Sequence, residues 1–143
     1  MMCGVAVVVV LDAELDNLSR DDCTLAQRQD RIVTQSRALL AVDCPDQTQH
    51  RSDKLGSHLQ SLGSHTRLVL LSRANNIALY LTCMTLSAVM SLREQWRRGR
   101  LRHIVESLFA VFLGGVQTVH VERLKWPLTD YERCLDFFDS EKG

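Results

Sequence analysis

Apolar positions recur at helical spacing through Leu92–Leu113. Leu101, Ile104, Val105, Leu108 and Phe112 fall at i, i+3, i+4, i+7 and i+11, while Arg100, Arg102, His103 and Glu106 take the opposite face. Gly99 breaks the pattern straight after Trp96-Arg97-Arg98, where a helix ending on a left-handed residue wants a glycine. This predicts two helices, Ser87–Arg98 and Arg100–Leu113, the second stopped at Gly114-Gly115. Elsewhere the pattern is that of strands. Gly4–Leu11 is a valine-rich run bounded by Gly4 and Asp12, too short for an independent helix. Thr66–Ser72 and Ile77–Thr82 form a hairpin with Asn75-Asn76 as the expected turn centre, since asparagine tolerates positive φ. Val116–Glu122 alternates as a fourth strand. Thr24–Val42 reads as a helix with Asp21 or Asp22 near its start, closed by Cys44-Pro45. Leu55, Leu59 and Leu62 mark a short helix ending at Gly63. Pro127 opens a last helix, Thr129–Phe138, with Tyr131, Cys134, Leu135 and Phe138 on its apolar side.

The order is β, helices, β-β, helices, β, helix. It predicts an α+β fold: an α–β sandwich in which a four-stranded antiparallel sheet carries helices on one face, close to a split-βαβ arrangement. The right-handed crossover rule puts both helical connections on the same side. A sheet covered on one side should alternate apolar and polar along each strand, and the first strand does not. If Val5, Val7, Val9 and Leu11 face the helices, Ala6, Val8 and Val10 face away. The same parity places Val69 and Leu71, Ala78 and Tyr80, and Thr118 and His120 on the uncovered face, with Arg67 and Arg73 at its rim. Such a patch exceeds what a monomer normally exposes. It is either covered by the terminal segments or the final helix, or it is a partner-binding or dimerisation surface, or it lines a ligand pocket.

A chain of 143 residues is read as a single domain over 1–143, large enough to bury a core. Its 45% hydrophobic and 24% charged residues are ordinary for a globular protein, and a formal net charge of zero removes any bulk electrostatic case for nucleic acid or membrane. The five cysteines, Cys3, Cys23, Cys44, Cys83 and Cys134, fit neither a disulfide framework nor a zinc spacing, so reduced thiols and a cytoplasmic location are expected. The apolar start lacks a positive flank and meets Asp12 and Glu14 at once, unlike a signal peptide. No apolar run approaches the roughly 20 residues that span a bilayer.

The basic stretch Arg93, Arg97, Arg98, Arg100 and Arg102 around Trp96 reads first as a solvated helix face with Trp96 in the core. An acidic partner surface comes second, and nucleic acid a distant third. An RNA-recognition sheet is disfavoured because Ile77–Thr82 has one aromatic residue and Val116–Glu122 none. The histidines (His50, His58, His65, His103, His120) lack metal-ligand spacing. Cys134 reads as a buried thiol, not a nucleophile, and Gly114-Gly115 follows a helix instead of opening one on a phosphate. No paired-carboxylate site is legible. The expectation is a non-enzymatic interaction module without cofactor or metal.

Residues 68–112, with Leu92-Arg93, Arg97/Arg98, Gly99/Arg100-Leu101-Arg102 and Ser107-Leu108, together with Glu132-Arg133-Cys134-Leu135, resemble the N-terminal domain of the TRADD adaptors. The similarity extends over about Val5–Phe138 and is specific over Leu68–Phe112 and Tyr131–Leu135. The resemblance implies an α–β sandwich with a four-stranded antiparallel sheet that docks a TRAF-type partner in tumour-necrosis-factor-receptor, NF-κB and apoptosis signalling, with a death domain following in the full protein. It places the family's first-strand contacts, aromatic there, on Val8 and Val10. The hairpin contacts fall on Leu71, Arg73 and Ala78, where the family has histidine, serine and isoleucine, and Tyr80 joins them by parity. The expected partner is a TRAF-type or homologous signalling protein. The alternatives are self-association through the same face, or weak nucleic-acid binding by the Arg93–Arg102 cluster.

Overall fold

The computed structural model of the chain describes residues 6–15, 25–40, 56–73, 75–114 and 119–142. The elements run β1 (Val7–Leu15), α1 (Leu25–Leu40), helical residues 56–60 (α2), β2 (Thr66–Arg73), β3 (Ile77–Cys83), α3 (Leu86–Arg97), α4 (Arg100–Phe112), β4 (Val121–Lys125) and α5 (Leu128–Lys142). The strands form one four-stranded sheet in the order β2-β3-β1-β4, with every neighbouring pair antiparallel. The connection from β1 to β2 skips over β3, and that from β3 to β4 skips over β1. The architecture is the α–β sandwich that the element order predicts.

One side of the sheet is the core. Val9, Leu11, Ala13 and Leu15 of β1, Ile77, Leu79, Leu81 and Cys83 of β3, and Leu68 and Leu71 of β2 are all buried. Against them pack Ile32 and Val33 of α1, Val89 and Leu92 of α3, and Leu101, Val105, Leu108, Phe109 and Phe112 of α4. Gly99, at φ 80°, ends α3 and caps α4, turning the chain where a side chain would be strained. At the start of α3, Thr85 accepts the Ala88 N–H at 3.0 Å, satisfying one of the free amides of the first turn.

The α3–β4–α5 junction is tied by Arg93. Its guanidinium stacks over Trp96 at 4.1 Å, Tyr131 at 4.9 Å and Trp126 at 5.2 Å, and its Nη1 donates to the Trp126 carbonyl at 2.6 Å. Trp96 Nε1 donates to the Leu124 carbonyl at 2.7 Å. Two side chains of α3 thus hold carbonyls of the segment that leads from β4, an edge strand, into α5. β4 pairs only with Asp12–Leu15, and α5 packs beside the first half of β1, where Cys134 Sγ donates to the Val8 carbonyl at 3.9 Å.

The strands and the last helix depart from the expected bounds at several places. β1 continues to Leu15 instead of ending at Leu11, because Asp12-Ala13-Glu14-Leu15 keeps the alternation. The fourth strand is Val121–Lys125, not Val116–Glu122; its register sets Arg123 opposite Glu14 and Lys125 opposite Asp12, opposite charges facing across the pair. His120 precedes the strand and meets Glu106 of α4 at 3.0 Å, so it does not join the uncovered face. Thr118, Asp21 and Asp22 lie outside the described residues. Asn75 and Asn76 do not adopt positive φ; Asn76 donates from Nδ2 to Asp12 at 3.2 Å. α5 is longer than Thr129–Phe138 at both ends.

The largest departure from the expected alternation lies in β2. A bulge between Leu68 and Leu70 inserts one residue, so Val69 and Leu70 both stand near Tyr80, and the alternation beyond them is reversed. Leu71 therefore pairs with Leu79 and is 0% exposed in the core, not on the uncovered face. Arg73 pairs with Ile77 on the helix side and bridges Asp30 of α1 at 2.5 Å. These two neighbours separate experimentally. Leu71→Ala should lower the unfolding free energy by about 2–5 kcal/mol, whereas Leu70→Ala should change it by less than about 1 kcal/mol, as read from urea denaturation. Equal effects would show that the bulge is misplaced.

Candidate functional site

Among the described residues, no helix covers the second side of the sheet. Its residues follow from the register: Arg67, Thr82 and Val8 form one row, Val69 and Leu70 with Tyr80 and Val10 the next, then Ser72, Ala78, Asp12 and Lys125, and finally Glu14 with Arg123. Val8 is 55% exposed, Val69 51%, Leu70 40% and Val10 36%. Every exposed large hydrophobic residue within a strand lies on this one face. Tyr80, Ala78 and Thr82 between them are half-buried.

The face is graded in polarity. At the end near Val8 and Val69 it is apolar, with Arg67 at its border as expected. Towards β4 it becomes a lattice of opposite charges, Asp12 beside Lys125 and Glu14 beside Arg123. In the charged half the register sets each of these charges opposite one of the other sign. The apolar half stays largely exposed among the described residues. β-branched and aromatic side chains on a pleated surface make a flat, rigid platform that loses little rotamer freedom when covered.

Of the sequence-derived site residues, Val8, Val10, Ala78 and Tyr80 are brought together on this face, and Leu71 and Arg73 are not. Leu70 takes the place assigned to Leu71. Its signal was weak, because Leu68-Val69-Leu70-Leu71 is apolar throughout and hides which residue is inserted.

The other chemistry-bearing groups are held in structural roles. Burial pushes the Cys83 thiol above its ordinary range, offset in part by its hydrogen bond with Thr66 at 3.7 Å. Burial also raises Cys134, and Asp130 adds to the shift. Neither sulfur is therefore activated as a thiolate at neutral pH. Glu106 lies between two histidines, with Oε1 at 3.2 Å from His103 Nδ1 and Oε2 at 3.0 Å from His120 Nδ1. Its Oε2 also accepts the Val121 N–H at 2.8 Å, so this cluster fixes the start of β4 to α4. Among the described residues no helix is long and apolar enough to cross a membrane. Also among them, no group of three or more His, Cys, Asp or Glu is placed to hold a metal ion.

Fold and face together define a class: an α–β sandwich with one open, apolar sheet face. No family model, no curated protein and no solved structure matches the chain.

The basic stretch is divided by the fold. Arg93 is drawn into the aromatic cluster, while Arg97 and Arg98 share Glu94 at 3.5 and 2.9 Å. The Arg93–Trp96 spacing of i, i+3 was the sequence signal for that contact. Removing the guanidinium should loosen the α3–β4–α5 junction. Arg93→Ala should lower stability by roughly 2 kcal/mol in chemical denaturation followed by tryptophan fluorescence, with Arg93→Lys falling between it and the native chain. No change in either variant would deny the clamp.

Proposed function

We propose that this chain is a non-enzymatic signalling adaptor domain that docks a TRAF-type protein partner through the open face of its sheet, in tumour-necrosis-factor-receptor, NF-κB and apoptosis signalling. The observation that carries the docking role is the row of Val10, Tyr80, Val69 and Leu70 with Val8 beside it, an apolar and largely exposed patch on a sheet whose opposite side packs against α1, α3 and α4. The partner class rests on the resemblance of residues 68–112 and 131–135 to the N-terminal domain of the TRADD adaptors, together with the antiparallel four-stranded sandwich that the resemblance implies. The contact set is Val8, Val10, Ala78 and Tyr80, with Val69 and Leu70 supplied by the bulge.

A flat face of this kind suits a transient interface, in which central apolar anchors supply the energy and the charged half fixes orientation. The first-strand anchors are valines where the family has aromatics, so the affinity expected per residue is smaller. A second reading uses the same face for self-association, since an apolar patch can pair with its own copy about a two-fold axis. Sedimentation at micromolar concentration separates the two: a monomer supports the heterologous partner, a dimer the second reading.

The direct test is the double variant Val8→Asp/Val10→Asp. It should stay folded, with a melting temperature lowered by no more than about 10 °C, because both side chains lie outside the core, and should lose about 30-fold or more in affinity for a purified TRAF domain in an interferometry titration. A folded variant that binds as well as the native chain contradicts the proposal.

A further inference from the structure

A groove of about 530 Å³ opens on the other side of β4 from β1, at the corner where α3 gives way to α4. Trp96, Arg97, Arg98 and Arg102 form its helical wall, and Glu122 and Leu124 its strand wall. In a chain of zero net charge, this corner gathers Arg97, Arg98, Arg100 and Arg102 within six positions. The charge is poorly answered from within. Arg97 and Arg98 divide one carboxylate, Glu94, and among the described residues Arg100 and Arg102 have no ion-pair partner. Arg102 Nε is shielded from water and has no acceptor.

Backbone electrostatics point the same way. α4 starts at this groove, its N-cap is a glycine without a capping side chain, and its first turn holds no acidic residue. The positive end of a 13-residue helix therefore meets arginines instead of the carboxylates that stabilise such ends. Local choices that work against stability mark places selected for something else. Here the missing complement is negative charge. Glu122 in the groove repels any negative group set opposite it; a polyphosphate backbone carries one at every unit, whereas a peptide can place a neutral residue there and lay apolar stems on Trp96 and Leu124.

We propose that this groove binds a short acidic segment of a partner protein, with carboxylates pairing with Arg98 and Arg102, independently of the open sheet face. The test titrates the purified chain against a fluorescein-labelled glutamate-rich peptide of roughly ten residues, by fluorescence anisotropy at about 50 mM and about 500 mM salt. Labelled single-stranded RNA, inorganic phosphate and phosphatidylserine vesicles are run in parallel. Saturable peptide binding that weakens about tenfold or more at the higher salt, and about tenfold in Arg98→Gln/Arg102→Gln, supports the site. Retention of that binding by the folded Val8→Asp/Val10→Asp variant keeps it distinct from the sheet face. Should the double arginine variant misfold by circular dichroism, Arg98→Gln alone, at an exposed position, gives the same reading with a smaller loss. Absence of saturable peptide binding, unchanged affinity in the folded variants, loss of binding in the sheet-face variant, or tighter binding to RNA, phosphate or vesicles overturns the proposal.

Discussion

A β-strand has two faces, and β1 spends apolar side chains on both. Val9, Leu11, Ala13 and Leu15 enter the core, and the intervening Val8 and Val10 face the other way. Because β1 is an inner strand, paired to β3 along one side and β4 along the other, its pleat sets the orientation of the whole sheet. Slipping its register by one residue would bury Val8, Val10, Asp12 and Glu14 and expose the present core side. The two charges make that exchange prohibitive. The strand can therefore face only one way, and its exposed valines are a consequence of that choice.

The helices are held to one side by features of different kinds. α4 buries nearly a whole apolar face, including Phe109 and Phe112, against the sheet. α3 reaches beyond packing, sending Arg93 and Trp96 to carbonyls around the end of β4, so that this end of the sheet is closed by side chains instead of another strand. α5 then lies along the first half of β1, where β4 gives no cover. α4 covers a face of the sheet while α3 and α5 close its edges, and among the described residues none reaches across the open face.

Much of this was legible in order and period. The valine run, the hairpin, the Gly99 junction and the two amphipathic helices all carry local signals strong enough to survive folding. The alternation of β1 could have been followed through Leu15, since Ala13 and Leu15 continue it and the charged residues between them only mark its outer side. The β2 bulge was not legible: four successive apolar residues, Leu68 to Leu71, carry no mark of which one is extra, and only pairing with β3 decides. That single inserted residue exchanged Leu71 for Leu70 in the candidate site and moved Arg73 to Asp30. The position of β4 was hidden for a related reason, because its register is chosen by Asp12 and Glu14, over a hundred residues earlier in the chain.

A docking role for this sheet requires one of its sides to be wet. Solvent relaxation of selectively labelled valine and leucine methyl groups, measured by NMR with a soluble gadolinium chelate, reads this without any partner. Val8, Val10, Val69 and Leu70 should relax strongly while Val9, Leu71, Leu79 and Leu81 stay protected. Protection of the first set as complete as that of the second would contradict it.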